Sequence, residues 1–155
     1  MWVQDPRAAE GHLQAPGQGV ARALGLPREV VERRPFPDLG LSIRVLGEVT
    51  PERVELVREA TIIVEDVTKD VPCFQAFAVL MRDMATGVTK ARKRKYGEII
   101  VVRAVQSKDA MTAEPTALPW EILREIEKRI TEKLPTITHV LFDLSGKPPA
   151  TIEFE

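Results

Sequence analysis

The run Ile99-Ile100-Val101-Val102 constrains the fold more tightly than any other stretch of the chain. All four residues are β-branched, which favours extended backbone, and a strand that is apolar on both faces is stable only where both faces are covered. Residues Glu98 to Gln106 are therefore expected as a central strand, with Ala76 to Met81 as a second strand. A covering layer shows itself through a different period. Ile122, Ile126, Ile130 and Leu134 recur every fourth residue, with Leu123 beside them, on a helix that starts at Pro119 and ends before Pro135. The stripe suits a core or a dimer contact. The other face carries Glu121, Arg124, Glu125, Lys128, Arg129 and Glu132, a mixed-sign coat with possible i,i+4 pairs.

A second helix is announced by Thr50-Pro51-Glu52, which supplies a capping hydroxyl, a proline at the first helical position and an acid in the first turn. It is expected to run to about Val67, with Val54, Val57 and Ile62 inward and Glu52, Arg53, Glu55, Arg58 and Glu59 in water. Leu41, Ile43, Val45 and Leu46, with Ser42 and Arg44 between them, predict a strand whose polar face carries Arg44. Ile137 to Leu144 predicts another, with His139 structural. Pro148-Pro149 reads as a stiff extended connector that holds Lys147 in place, and Thr151 to Phe154 as a short closing strand. The order of elements implies an α+β fold, a small, mostly antiparallel sheet with two main helices packed on one face.

A chain of 155 residues can bury a core without cross-links. Its one cysteine, Cys73, excludes an intramolecular disulfide framework, so a reducing cytoplasm is the expected location. No apolar run approaches membrane-spanning length, the first residues lack a basic-then-apolar leader pattern, and no membrane partner is expected. Residues 1–34 read as a flexible lead-in and short helical linker, interrupted by Gly25 and Pro27, before a domain over 35–155. His12 has no Cys or His at metal-ligand spacing, and no metal site is expected.

A net charge of -1 argues against a globally basic nucleic-acid binder, yet the cations are not evenly spread. Lys90, Arg92, Lys93, Arg94 and Lys95 adjoin Tyr96. Such a run is either a solvated hairpin tip or a grip on phosphate or single-stranded nucleic acid. Around Lys147 the residues also leave two readings open. One is a closing strand capped by a solvated lysine; the other is a preorganised anion or nucleotide contact through the ammonium and the backbone amides that follow.

Lys147-Pro148-Pro149-Ala150-Thr151-Ile152-Glu153, followed by an aromatic and Glu155, closely resembles the C-terminus of GMP synthase. The strings Arg34-Pro35-Phe36-Pro37, Gly40 to Thr50, Arg103-Ala104-Val105 and Asp109 to Ala113 extend the resemblance over roughly Ala21 to Glu155, with the family's C-terminal dimerisation domain expected over 35–155. The resemblance implies binding of xanthosine monophosphate (XMP) by Arg44, Gln75, Lys147, Ile152 and Glu153, and pairing of two subunits in a homodimer. Arg44 and Lys147 would neutralise the phosphate, the backbone at Ile152 would donate to it, and Gln75 and Glu153 would hydrogen-bond or orient the cations. The family's glutaminase triad and ATP-binding loop have no counterpart here. The chain alone is therefore expected to be inactive and to bind no cofactor, with ATP and magnesium held by an ATP pyrophosphatase domain or subunit as partner. The alternative is a non-catalytic oligomerisation or nucleic-acid-binding module that uses the basic 90–95 loop.

Overall fold

The computed structural model describes residues 23–25, 27, 40–89 and 91–154. The chain divides into two units, Met1–Arg34 and Pro35–Glu155. In the first, Ala23, Leu24, Gly25 and Pro27 are exposed; the rest of the lead-in and linker, with His12, lies outside the described residues.

The second unit begins with a 3-10 turn over Ser42–Arg44, followed by helix α1 (Pro51–Val67), strand β1 (Gln75–Val88), strand β2 (Arg94–Gln106), the two-residue strand β3 (Glu114–Pro115), helix α2 (Trp120–Lys133) and strand β4 (Ile137–Phe142). β2 is the central strand. It pairs antiparallel with β1 along one edge. Its other edge takes antiparallel β3 at Val105 and Gln106 and parallel β4 along Glu98–Val102. The β1–β2 ladder slips once: Leu80 faces Ile100 and Met84 faces Glu98, so Met81, Arg82 and Asp83 oppose Ile99 alone. Arg53 reaches this bulge, donating to Met81 O at 2.8 Å and to Glu48 O at 2.7 Å.

Strand alternation sorts the sheet into two faces. Ala76, Ala78, Leu80, Ile100, Val102 and Ala104 point to the helices and share a core with Val57, Ala60, Ile63 and Val64 of α1 and Ile126 and Ile130 of α2. The expected α2 stripe is therefore the buried one. α1 starts as its sequence demands: Thr50 caps it, accepting from the Arg53 N–H at 3.3 Å, and Pro51 is the first helical residue. Its inward face is rotated from expectation, however, because Ile62 is 50% exposed while Thr61 is buried. Small Ala60 allows close approach to the sheet, and the Thr61 hydroxyl accepts a hydrogen bond from Ala78 N–H at 3.3 Å, so a polar residue occupies the position that periodicity alone would give to an apolar one.

Two predicted strands are absent among the described residues. The Leu41–Leu46 segment is the 3-10 turn followed by a single parallel bridge from Val45 to Leu80. Arg44 is the reason. Its side chain is drawn into the fold by a carboxylate and an aromatic ring, which a solvent-facing strand position would not permit. The tail after Lys147 likewise forms neither an extended connector nor a closing strand. Both proline peptide bonds there are cis, the chain turns with Ala150 N–H bonded to Gly146 O at 3.0 Å, and its carbonyls go to a buried arginine instead of a neighbouring strand. β4 ends at Phe142, short of the expected Leu144, because Asp143 Oδ1 accepts from Ser145 N–H at 2.8 Å and turns the chain.

Candidate functional site

The face of the sheet turned away from the helices carries Phe77, Val79, Val101 and Val105, packed with Ala113, Ile152, Leu46, Phe74 and Phe154. The tail is thus the lid of a second, smaller core, and Ile152 is its apolar anchor. Beside it two arginines are buried within apolar surroundings, Arg44 at 2% and Arg103 at 0% exposure. A buried guanidinium is tolerated only when its donors are met. Arg44 meets Glu153 in a fork, Nε to Oε2 at 3.0 Å and Nη2 to Oε1 at 2.7 Å, and stacks over the Phe77 ring at 4.0 Å from its centroid.

Opposite the tail, residues 107–112 form a tight loop. Asp109 Oδ1 accepts from the N–H groups of Met111 and Thr112 at 2.9 and 3.3 Å, while Ser107 Oγ accepts from Ala110 N–H and donates to Thr112 O. Those backbone donors, first Met111 and then Thr112, hold the Asp109 carboxyl below the ordinary aspartate range, with nearby Lys147 adding a smaller effect. Ala110 takes a left-handed φ of 60°, a conformation that costs a non-glycine residue about 1–2 kcal/mol and that the surrounding bonds must enforce. Loop and tail are joined by a reciprocal backbone pair, Ala113 N–H to Lys147 O at 3.0 Å and Lys147 N–H to Ala113 O at 2.7 Å. The Lys147 ammonium donates to Ala110 O at 2.8 Å.

Between loop and tail lies a cavity of about 290 Å³, lined by Phe74, Gln75, Ala110, Lys147, Thr151, Ile152 and Glu153. Four of the five residues singled out from sequence, Gln75, Lys147, Ile152 and Glu153, therefore line one cavity. They arrive from distant positions: Gln75 opens β1, and the others sit on the turned tail. Arg44 is not among the lining residues. Its charge faces Glu153, so its place is to fix the Glu153 carboxylate. Lys147 supplies the cation at the cavity itself, half-buried and held at both its backbone and its ammonium. A fixed lysine beside an aromatic side chain and an apolar floor suits a small ligand with an anionic end and a flat, less polar body.

Phe74, Ala110, Thr151 and Arg103 are parts of this region that sequence reasoning does not single out. Arg103 does leave a trace in the sequence, since it interrupts the apolar run from Ile99 to Val105. The basic segment falls elsewhere: Arg92, Lys93 and Arg94 are exposed at the β1–β2 hairpin, and Lys95 donates to Pro135 O. Lys90 lies outside the described residues. Among the described residues, no group of three or more His, Cys, Asp or Glu could hold a metal ion, and no helix is long and apolar enough to cross a membrane.

The fold is thus a small α+β unit whose tail turns back beside the sheet and lines a cavity. Residues 65–154 match the family model described as GMP synthase C terminal domain, and the chain belongs to that family. Its curated relatives include proteins named as a subunit of glutamine-hydrolyzing GMP synthase. The one from Methanopyrus kandleri is 57% identical over 143 residues, covering 88% of this chain and 45% of the relative. The one from Archaeoglobus fulgidus is 52% identical over 136 residues, 88% of this chain and 44% of the relative. The Thermococcus kodakarensis protein is 50% identical over 138 residues, 88% of this chain and 45% of the relative. The chain thus spans less than half the length of these relatives.

Proposed function

We propose that this chain contributes the XMP-holding part of a glutamine-hydrolysing GMP synthase, a ligase of purine nucleotide biosynthesis in the cytoplasm. The observation that carries the reading is the convergence of Gln75, Lys147, Ile152 and Glu153 on one cavity, together with the family to which the chain belongs. The Lys147 ammonium pairs with the nucleotide phosphate, giving up Ala110 O for a charged acceptor. The Glu153 carboxylate, oriented by Arg44, and the Gln75 amide hydrogen-bond the remaining polar edge of the ligand. ATP and magnesium would be held by a pyrophosphatase domain or subunit, which would supply the activation of the nucleotide, and glutamine hydrolysis in a further partner would supply ammonia. The chain alone transfers nothing; it holds one reactant still, and it also pairs two subunits as a homodimer.

Titration calorimetry of the chain with XMP tests this reading. Lys147→Ala removes one charge-assisted contact, and the affinity is expected to fall about 10- to 100-fold. Equal affinity in the two proteins contradicts the assigned site. Sedimentation at micromolar concentration checks the pairing, and a strictly monomeric profile contradicts it.

A further inference from the structure

The second buried arginine does not line the cavity, yet it bonds to two residues that do. Arg103 sits in β2 opposite Phe77 of β1, with its side chain completely enclosed. Its Nε donates to Ile152 O at 2.8 Å, Nη2 to Thr151 O at 2.6 Å, and Nη1 to both Ser145 O at 3.0 Å and the Asp143 carboxylate. The bonded carbonyls belong to residues 145 and 151–152, which flank the turn that carries Lys147. One guanidinium therefore grips both ends of that turn. We infer that Arg103 is a positioning residue for the nucleotide: it sets the separation between Lys147 on one side of the cavity and Ile152 and Glu153 on the other.

The inference rests on the nucleotide reading above, and its chemistry is specific. Only arginine has a planar fork with enough donors to meet four acceptors at once; a lysine ammonium has three and no fixed plane. Stability alone gives little reason for a charge here, because buried ion pairs are often replaced by well-packed apolar residues at no cost. What an apolar residue cannot do is hold three tail carbonyls in register, and a binding group displaced by about 1 Å loses much of its effect.

The test uses the full chain with Arg103→Lys, Asp143→Asn and, as a control on the nucleotide reading, Lys147→Ala. Hydrogen exchange read by mass spectrometry reports the tail directly, and calorimetry with XMP reports the site. In Arg103→Lys, peptides from 145–154 are expected to exchange about tenfold faster while those from β1, β2 and α2 keep their protection, and XMP affinity falls about 10- to 100-fold. Asp143→Asn, which leaves the three carbonyl bonds in place, shows the same pattern more weakly. Unchanged tail protection in either variant, or acceleration spread evenly over the whole chain, overturns the inference. If Arg103→Lys does not fold, Asp143→Asn decides by the same criteria. Absence of XMP binding by the unsubstituted chain, with the tail selectively loosened in Arg103→Lys, contradicts the nucleotide reading and leaves the clamp standing.

Discussion

On one face of β1 and β2, Ala76, Ala78, Leu80, Ile100, Val102 and Ala104 meet two helices in a core of aliphatic side chains. On the other face of the same strands, Phe77, Val79, Val101 and Val105 share their space with Arg44, Arg103 and a turned tail. The first face is held by the removal of apolar surface from water, a force without direction that tolerates sliding and repacking. The second adds to a smaller apolar cluster a set of directed bonds, an arginine–carboxylate fork and an arginine–carbonyl fan, which fail if the geometry changes. A protein that must keep a ligand-sized space open beside its sheet has reason to build that side from directional contacts, because a purely apolar side would collapse into the space.

Single substitutions can set the two faces against each other. Ile130→Ala on the helix side removes a fully buried side chain and should cost about 3–4 kcal/mol, read as a shift of the urea midpoint. XMP affinity measured on the folded fraction should not move; an equal loss at the site would show that the two faces are not independent. Glu153→Ala on the tail side leaves Arg44 enclosed with its fork partner removed, while Glu153 itself is 17% exposed. The expected cost is about 2–3 kcal/mol, below the fully buried limit, and most of it should return in the double variant Arg44→Leu/Glu153→Leu. Failure of that rescue would mean that the pair adds stability beyond what apolar packing can replace.

How much of each face is legible in the sequence follows from the same distinction. Ile122, Ile126, Ile130 and Leu134 announce their helix because burial of an apolar stripe leaves a period of about 3.6 residues, and Thr50-Pro51-Glu52 announces another through capping chemistry. Arg44 and the tail read as strands because alternation is the visible pattern, while the deciding contacts join residues more than a hundred positions apart, Arg44 to Glu153. No local pattern encodes such a bond. All five candidate residues are named through a family resemblance and not through periodicity, and the geometry gathers four of them, Gln75, Lys147, Ile152 and Glu153, at one cavity. Arg103 is visible only as a charge in an apolar strand, a signal that marks a buried donor without naming its acceptors.

Smaller effects should follow at the edges of both faces. Thr50→Ala should remove the α1 cap and about 1 kcal/mol, read in the same urea titration, with no change at the tail. Acid should act on both faces. The side-chain bond from Arg129 and the charge of Lys69 hold the Asp66 carboxyl below its ordinary range on the helix side, and the Met111 and Thr112 amides do so for Asp109 near the tail. A lowered folded-state pKa means that the unfolded chain takes up the proton first. Stability from these groups is therefore complete above the unfolded value of about 4 and is lost as the pH falls through the folded values. Unfolding followed from about pH 7 to about pH 2 should show stability declining below about pH 4, and Asp66→Asn or Asp109→Asn should each flatten part of that decline. An undiminished slope in both would contradict these assignments.

The proposal that the cavity holds the nucleotide is tested most directly by a hydrogen-exchange footprint of XMP on the full chain. Added protection is expected at Phe74 and Gln75, in the loop around Ala110 and across the turned tail from Ser145 to Glu153, with the buried faces of α1 and α2 unchanged. Protection confined to the exposed hairpin at Arg92, Lys93, Arg94 and Tyr96, or no protection at saturating XMP, would contradict the assignment of the cavity as the nucleotide site.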